Sequence, residues 1–272
     1  IILGNVLDEP IDLVYRIFTE PQKDNAVAIA PSYGMYGVCA DINNVEYKKV
    51  VLDEGFKLNA DKVLAAVDAN THVIWLCSPN NPSGNLLNRA EIEKILNGFE
   101  GIVVIDEAYA DFSSEESWLN SLDKYKNLIV LQTFSKAWGL AGVRCGMAFA
   151  SEDIISYFNK VKYPYNINLL TQEFVFKKLD EIAEKEKQVK IILEQRTRLA
   201  EELLKKSKVK KIYPSDANFL LVEVDDANAM YKELAGKEIV TRNRTNVTLC
   251  QNCLRITVGT PEENDILLSE IQ

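Results

Sequence analysis

Short runs of aliphatic and β-branched residues recur through the first half of the chain. Each ends in a polar cluster, and this alternation limits the fold more than any other feature. AVAIAP is followed by a turn, HVIWLC by NRAEIEKILNGF, GIVVIDE by a stretch expected to be helical, and NLIVLQT by a mixed apolar segment. The runs are apolar on both faces, as strands of a parallel sheet covered by helices on each side are. The pattern predicts an α/β fold, with an open, mostly parallel sheet, helices on both faces and right-handed crossovers. Asn88 with Glu91 three residues later predicts a capping box at the start of one of those helices.

After YPYNIN the texture changes. From about Leu169 to Lys206 there is no proline or glycine, and Ile182, Val189, Ile192, Leu199 and Leu203 recur at helical spacing, which predicts a helix pair or one bent helix. Beyond it NFLLVEV, EIVTRNR, VTLC and LRITVG read as strands around the helix DANAMYKELA, a smaller α+β unit. The expected division is a large unit over 1–185 and a small C-terminal unit over 186–272, joined by the long amphipathic helix.

Charge narrows the partners. With 31 Lys+Arg against 40 Asp+Glu the chain carries a formal net charge of −9, opposite to the basic face a nucleic-acid binder presents. The lysine run KKSKVKK closes a helical pattern, where it complements the helix dipole and stays solvated. No apolar run is long enough to span a membrane. The opening IILGNVLDEP lacks the pattern of a secretory signal and is expected to follow a further N-terminal segment. Five scattered cysteines without that signal imply reduced thiols and a cytoplasmic setting, and CQNC reads as packing beside a strand, since zinc needs a second ligand pair.

In a parallel sheet the polar ends of the runs share one edge, where open α/β folds place ligands. SPNNPSG, DEAYADF and TFSKAWG would therefore bring Asn81, Asp106, Tyr109, Ser135 and Lys136 together. The only histidine, His72, starts a strand and reads as structural, so a Ser-His-Asp hydrolase and His-ligated metals are disfavoured. Neither G-x-G-x-x-G after the first strand nor a Walker motif occurs. A lysine partly hidden among Thr133, Phe134, Ala137 and Trp138 has the lowered basicity that lets an amine form a Schiff base with an aldehyde. An aspartate opposite would keep a pyridine ring protonated, tyrosine and asparagine would bond its phenolate oxygen, and Thr133, Ser135, Arg144 and the amides of GNVLDE would hold a phosphate.

PSYGMY, SPNNPSG, VIDEAYADF, TFSKAWGLAGVRCG and LRITVGT, in this order, resemble the motif series of the fold-type I pyridoxal-phosphate aminotransferases, above all those acting on histidinol phosphate. The likeness spans nearly the whole chain. It implies pyridoxal 5′-phosphate held by Lys136, with Asp106 on the pyridinium, Tyr109 and Asn81 on the ring oxygen, Tyr33 stacked on the ring, and Thr133, Ser135 and Arg144 on the phosphate. It implies Arg255 for the substrate's anionic group and Arg242 as a second anion-binding arginine suited to a phosphate. Arg242 and Arg244 are expected to diverge, with one at the surface, while alternation turns Asp106 and Glu107 opposite ways and the match favours Asp106. The implied reaction moves an amino group between histidinol phosphate and 2-oxoglutarate in histidine biosynthesis, in a homodimer taking small amine and 2-oxo acid substrates. An aromatic aminotransferase, a decarboxylase on the same fold, and a non-catalytic relative are the alternatives. One departure is local: Val6-Leu7 stands where the family has glycine followed by serine or alanine, and a valine there is strained if the position needs positive φ.

Overall fold

Along residues 1–271, which the computed structural model describes, the chain first lays down the larger of two sheets. In order come β1 (Ile2–Asn5), α1 (Asp8–Phe18), β2 (Asn25–Ala30), α2 (Met35–Ile42), β3 (Glu46–Val51), α3 (Ala60–Ala65), β4 (Thr71–Cys77) and α4 (Arg89–Gly98). Then follow β5 (Ile102–Asp106), β6 (Leu128–Thr133), β7 (Cys145–Phe149) and α5 (Glu152–Val161). The strand order is β1-β7-β6-β5-β4-β2-β3. The five strands from β6 to β3 run parallel, β7 runs against them, and β1, antiparallel to β7 at the edge, runs with them again.

The runs are apolar on both faces because both faces are covered. Ile74 and Leu76 pack with Ile92 and Ile95 of α4 on one side, and Val73 and Trp75 with Ile11 and Val14 of α1 on the other, all fully buried. Each such side chain stabilises the fold by roughly 1.5–3 kcal/mol. Register places Cys77 opposite Asp106, and Asp106 opposite Leu131, so β4, β5 and β6 end along one edge.

The rest of the chain forms α6 (Leu169–Leu179), α7 (Ile182–Leu203), β8 (Val209–Ile212), β9 (Phe219–Val224), α8 (Ala227–Gly236), β10 (Arg242–Asn243), β11 (Cys253–Thr257) and α9 (Pro261–Glu270). The long helical stretch is thus a pair. The second sheet is antiparallel throughout, in the order β10-β11-β9-β8. Leu221, Cys250 and Cys253 bury against the same apolar cluster as β4 and β5, which ties the two sheets together. Among the described residues no helix is long and apolar enough to cross a membrane.

Four local expectations fail, each for a visible reason. The segment after β5 forms only 3-10 turns at Ala110–Phe112 and Trp118–Ser121. There the buried Glu107 carboxylate accepts from the Ser117 hydroxyl and the Trp118 amide, and such side-chain bonds compete with helix. VTLC is not a strand and EIVTRNR contributes only Arg242–Asn243, because the chain turns through Val247 N–H to the Arg244 carbonyl and Cys250 N–H to the Val247 carbonyl. The capping box is half made: Asn88 accepts from Ala90 and Glu91 amides, while the Glu91 carboxylate takes the Ala60 amide of α3. Finally, α7 ends before the lysine run, so Lys205 pairs with Glu202 beside the helix end while Lys210, on β8, pairs with Asp225 just after β9.

Candidate active site

A cavity of about 680 Å³ opens at the carboxyl edge of the parallel strands. Val6, Leu7, Tyr33, Asn81, Asp106, Tyr109, Thr133, Ser135, Lys136, Arg144, Arg242 and Arg255 all line it, which brings every site residue expected from the sequence to one place. Glu107 turns away into the Ser117–Gln132 network and His72 lies outside, half-exposed and 3.5 Å from Asp24.

Asp106 closes β5 and sits 2% exposed at the floor. Burial pushes its carboxyl up, against three stabilising contacts: the Tyr36 hydroxyl donates to Oδ2 at 2.7 Å, the Ala108 amide to Oδ1 at 2.9 Å, and the Lys136 charge attracts it. Tyr36 is itself fixed. Its ring stacks on Trp75 at 4.8 Å, its carbonyl accepts from the Tyr15 hydroxyl, and burial holds its phenol well above the usual range, so it stays a donor.

Lys136 follows β6 in the turn TFSKAWG, its ammonium 5.3 Å from the centre of the Tyr109 ring. Burial lowers its pKa first and the Arg255 charge adds to that, while Asp106 opposes both. A neutral amine therefore becomes accessible at lower pH than for a free lysine. The Tyr109 phenol is pushed up to about 12 by burial and remains protonated.

Besides Lys136, four arginines line the cavity: Arg144, Arg242, Arg244 and Arg255. Arg255 on β11 lies over the Phe219 ring at 4.8 Å and donates to Asn81 Oδ1 at 2.7 Å, leaving the Asn81 amide nitrogen free to donate elsewhere. Arg242 pairs with Arg255 in the β10–β11 register, and Arg244 also reaches the cavity. The divergence expected for Arg242 and Arg244 is not found, because residues two apart along an extended chain share a face and both line the pocket, but one of the two, Arg242, is exposed as expected.

The opposite end is built differently. Thr133 Oγ1 donates to Ser135 Oγ at 3.0 Å and accepts from the Ser135 amide. Val6, between β1 and α1, has φ 57°, in the left-handed region that favours glycine, and Arg144 beside it has φ 54°. For a β-branched residue this costs roughly 1–2 kcal/mol. The Val6 amide already donates to the Arg144 carbonyl at 3.1 Å, and no side chain caps α1. Gly146 must be glycine, because a β-carbon there would run into the Val6 carbonyl. Tyr33 packs edge-on to Tyr36 at 5.6 Å and its hydroxyl donates to Asp8 at 3.1 Å.

Sequence reasoning overlooked Tyr36, Asp8 and Cys77 and left Arg244 out of the site. The signal for Tyr36 was present: PSYGMY spaces two tyrosines three apart at a helix start, one helical face. The contact of Arg255 with Asn81 crosses 174 positions and had none.

Comparison with known proteins agrees with this geometry. Residues 1–271 match the family described as aminotransferase class I and II. A histidinol-phosphate aminotransferase of Bacteroides thetaiotaomicron is 57% identical over all of this chain and 79% of its own length. That of Flavobacterium johnsoniae is 50% identical over all of this chain and 78% of its own. Among solved structures, the histidinol-phosphate aminotransferase of Clostridium acetobutylicum superposes with a TM-score of 0.92 at 24% identity, covering 99% of this chain and 82% of that one. The enzyme of Sinorhizobium meliloti in complex with pyridoxal-5′-phosphate gives 0.88 at 21%, covering 98% and 74%. Matched along its length by that family and by relatives half or more identical to it, the chain belongs to the class I and II aminotransferases.

Proposed function

We propose that this aminotransferase uses pyridoxal 5′-phosphate to exchange the amino group of histidinol phosphate with the oxo group of 2-oxoglutarate, giving imidazole-acetol phosphate and glutamate. The observation that carries the reading is the buried Asp106 carboxylate, bonded at both oxygens, in one cavity with a lysine of lowered basicity. The names of the relatives above supply the substrate.

The residues fit the cofactor's ring and carbonyl. An acidic floor suits a protonated ring nitrogen, Tyr109 and the free amide nitrogen of Asn81 are donors for a ring oxygenate, and Lys136 would hold the carbonyl carbon. The phosphate end keeps Thr133, Ser135 and Arg144 but no hydroxyl at position 7, and its Val6 amide is spent. When bound, the cofactor supplies an electron sink for the pair left by a removed α-proton. Lys136 Nζ, neutral and released from its hold, takes that proton from the substrate's α-carbon as general base. Asp106 keeps the positive charge opposite in place, and Arg255 fixes the substrate's anionic group so that the α-hydrogen meets Nζ.

We further infer a homodimer. Tyr163 at 78%, Tyr165 at 93%, Leu170 at 78% and Phe176 at 77% exposure form an apolar stretch along and before α6 that a second copy would cover. The experiment for the whole reading is an absorption spectrum of the cofactor-loaded protein before and after histidinol phosphate. Conversion of the lysine-bound band to that of the aminated cofactor is expected. A spectrum unchanged by histidinol phosphate, yet shifted by phenylalanine, replaces the substrate.

A further inference from the structure

Behind Tyr109, outside the cavity, stands a cation with an unusual set of partners. Arg196 on α7 is part-buried, and its Nη1 donates to two main-chain carbonyls, Ala217 at 2.9 Å and Phe112 at 3.3 Å. Burial lowers its pKa and the Asp216 charge opposes this, yet the Asp216 carboxylate accepts from the Leu86 amide instead. An arginine that faces carbonyls rather than an acid gives up an ion pair to fix two stretches of backbone.

What those stretches carry decides the use. The Phe112 amide donates to the Tyr109 carbonyl at 3.1 Å, so the carbonyl that Arg196 holds closes the 3-10 turn that Tyr109 opens. Ala217 leads into Phe219, the first residue of β9, whose ring meets the Tyr109 ring edge-on at 5.1 Å and lies under Arg255. Tyr109, Phe112, Ala137, Ala217 and Phe219 form one buried cluster, against which Val189, Ile192 and Leu193 of α7 pack. A second cation of α7 grips the same turn: Lys185 pairs with Asp111 at 2.5 Å and stands 5.7 Å from the centre of the Trp138 ring, just beyond Lys136. Apolar packing is non-directional and does not by itself fix where a phenol hydroxyl points, whereas hydrogen bonds to the backbone on either side do.

We propose that Arg196 is a positioning residue that acts through Tyr109: from α7 it holds the Tyr109 turn against the entry to β9, so that the Tyr109 hydroxyl keeps one direction in the cavity. This rests on the role proposed above for Tyr109 as a donor to the cofactor's ring oxygen. A donor there draws charge from the oxygen and leaves the neighbouring nitrogen of the lysine–cofactor link less basic. Losing or misdirecting that donor therefore raises the pH at which the link gives up its proton.

The test is a double-variant cycle read on the absorption of the cofactor-loaded protein with no substrate added. The pH midpoint of the lysine-bound band is measured for wild type, Arg196→Met, Tyr109→Phe and the two combined. Two references accompany them: Arg196→Lys, which keeps a cationic donor, and Arg198→Met, which removes a nearby cation of the same helix that pairs with Asp265. Tyr109→Phe is expected to raise the midpoint by about one pH unit, Arg196→Met by about half as much, and the combination no more than Tyr109→Phe alone. Arg196→Lys should recover part of the shift, and Arg198→Met should leave the wild-type value. Shifts that add in the combination, or a midpoint unmoved by Arg196→Met, overturn the proposal, because an arginine that only supports the fold or supplies charge acts whether or not the hydroxyl is present. Should Tyr109→Phe leave the midpoint unchanged, the role of Tyr109 fails and the positioning with it. An Arg196→Met protein that does not fold is replaced in the cycle by Arg196→Gln, which keeps a neutral donor. Since no substrate enters, rejection of histidinol phosphate strikes the proposed substrate and leaves this result standing.

Discussion

At the floor of the cavity every group is held. Asp106 is bonded at both oxygens, Tyr36 is clamped between Trp75 and its own hydrogen bonds, and Lys136 is set over Tyr109. At the β1–α1 turn, a short distance along the same edge, the backbone is strained at Val6, an amide is consumed by Arg144, and Leu7 fills the place of a small or hydroxylated residue. The first end is organised before anything binds, so its polar groups reorganise little during a reaction. The second must be rearranged, or does without, when a phosphate arrives. The contrast teaches that what the chain offers for proton transfer and what it offers a phosphate are separable properties, located on different loops.

The largest effect should come from removing the amine. Lys136→Ala is expected to abolish turnover by a factor on the order of 10⁴ or more, and borohydride treatment of the loaded wild-type protein should leave a pyridoxyl group on the peptide containing Lys136. Turnover of the alanine variant at the native rate ends the reading of the floor as catalytic. Next, Asp106→Asn should cut the rate on the order of a thousandfold while raising the melting temperature of the cofactor-free protein by a few degrees. The sign follows from its raised pKa: the native state binds this proton more tightly than the unfolded chain, so the ionised carboxylate lowers stability increasingly as pH climbs above the unfolded value near 4. The asparagine variant should therefore show a flatter dependence of stability on pH.

Tyr36→Phe probes positioning alone. It removes the donor to Asp106 without touching substrate, and a rate about tenfold lower with a shifted pH profile is expected, whereas an unchanged profile makes Tyr36 a packing residue. The smallest effect tests the weak end. Val6→Gly should relieve the positive φ, raising stability on the order of 0.5–1 kcal/mol after the extra freedom of the unfolded glycine is counted, and should tighten cofactor binding severalfold. A lower melting temperature, or a looser cofactor, shows that the turn is not under strain.

Much of this was legible from the chain itself. Parallel strands announced themselves because two covered faces demand uninterrupted apolar runs, and their polar ends pointed to Asn81, Asp106, Tyr109 and Lys136 in advance. Local competition was not legible. Whether EAYADFSSEESW would wind into a helix depended on where the Glu107 carboxylate went, and whether VTLC would extend depended on the core drawing in Cys250. The arginines show the same limit. Their residue types suggested anions, but their convergence required β10 to be short and paired with β11. Val6 stands between these cases: its identity raised the question of positive φ, and only the backbone answered it.

The loop that carries Asn81 has a second attachment. The Asp216 carboxylate accepts from the Leu86 amide at 3.0 Å, the Asp216 amide donates to the Gly84 carbonyl at 2.7 Å, and Ser215 fills the space where a side chain at Gly84 would be. This stitches SPNNPSG to the segment entering β9 much as a hinge pin joins two leaves. Any displacement of the antiparallel sheet is therefore passed to the SPNNPSG loop at this attachment as well as through the bond from Arg255 to Asn81.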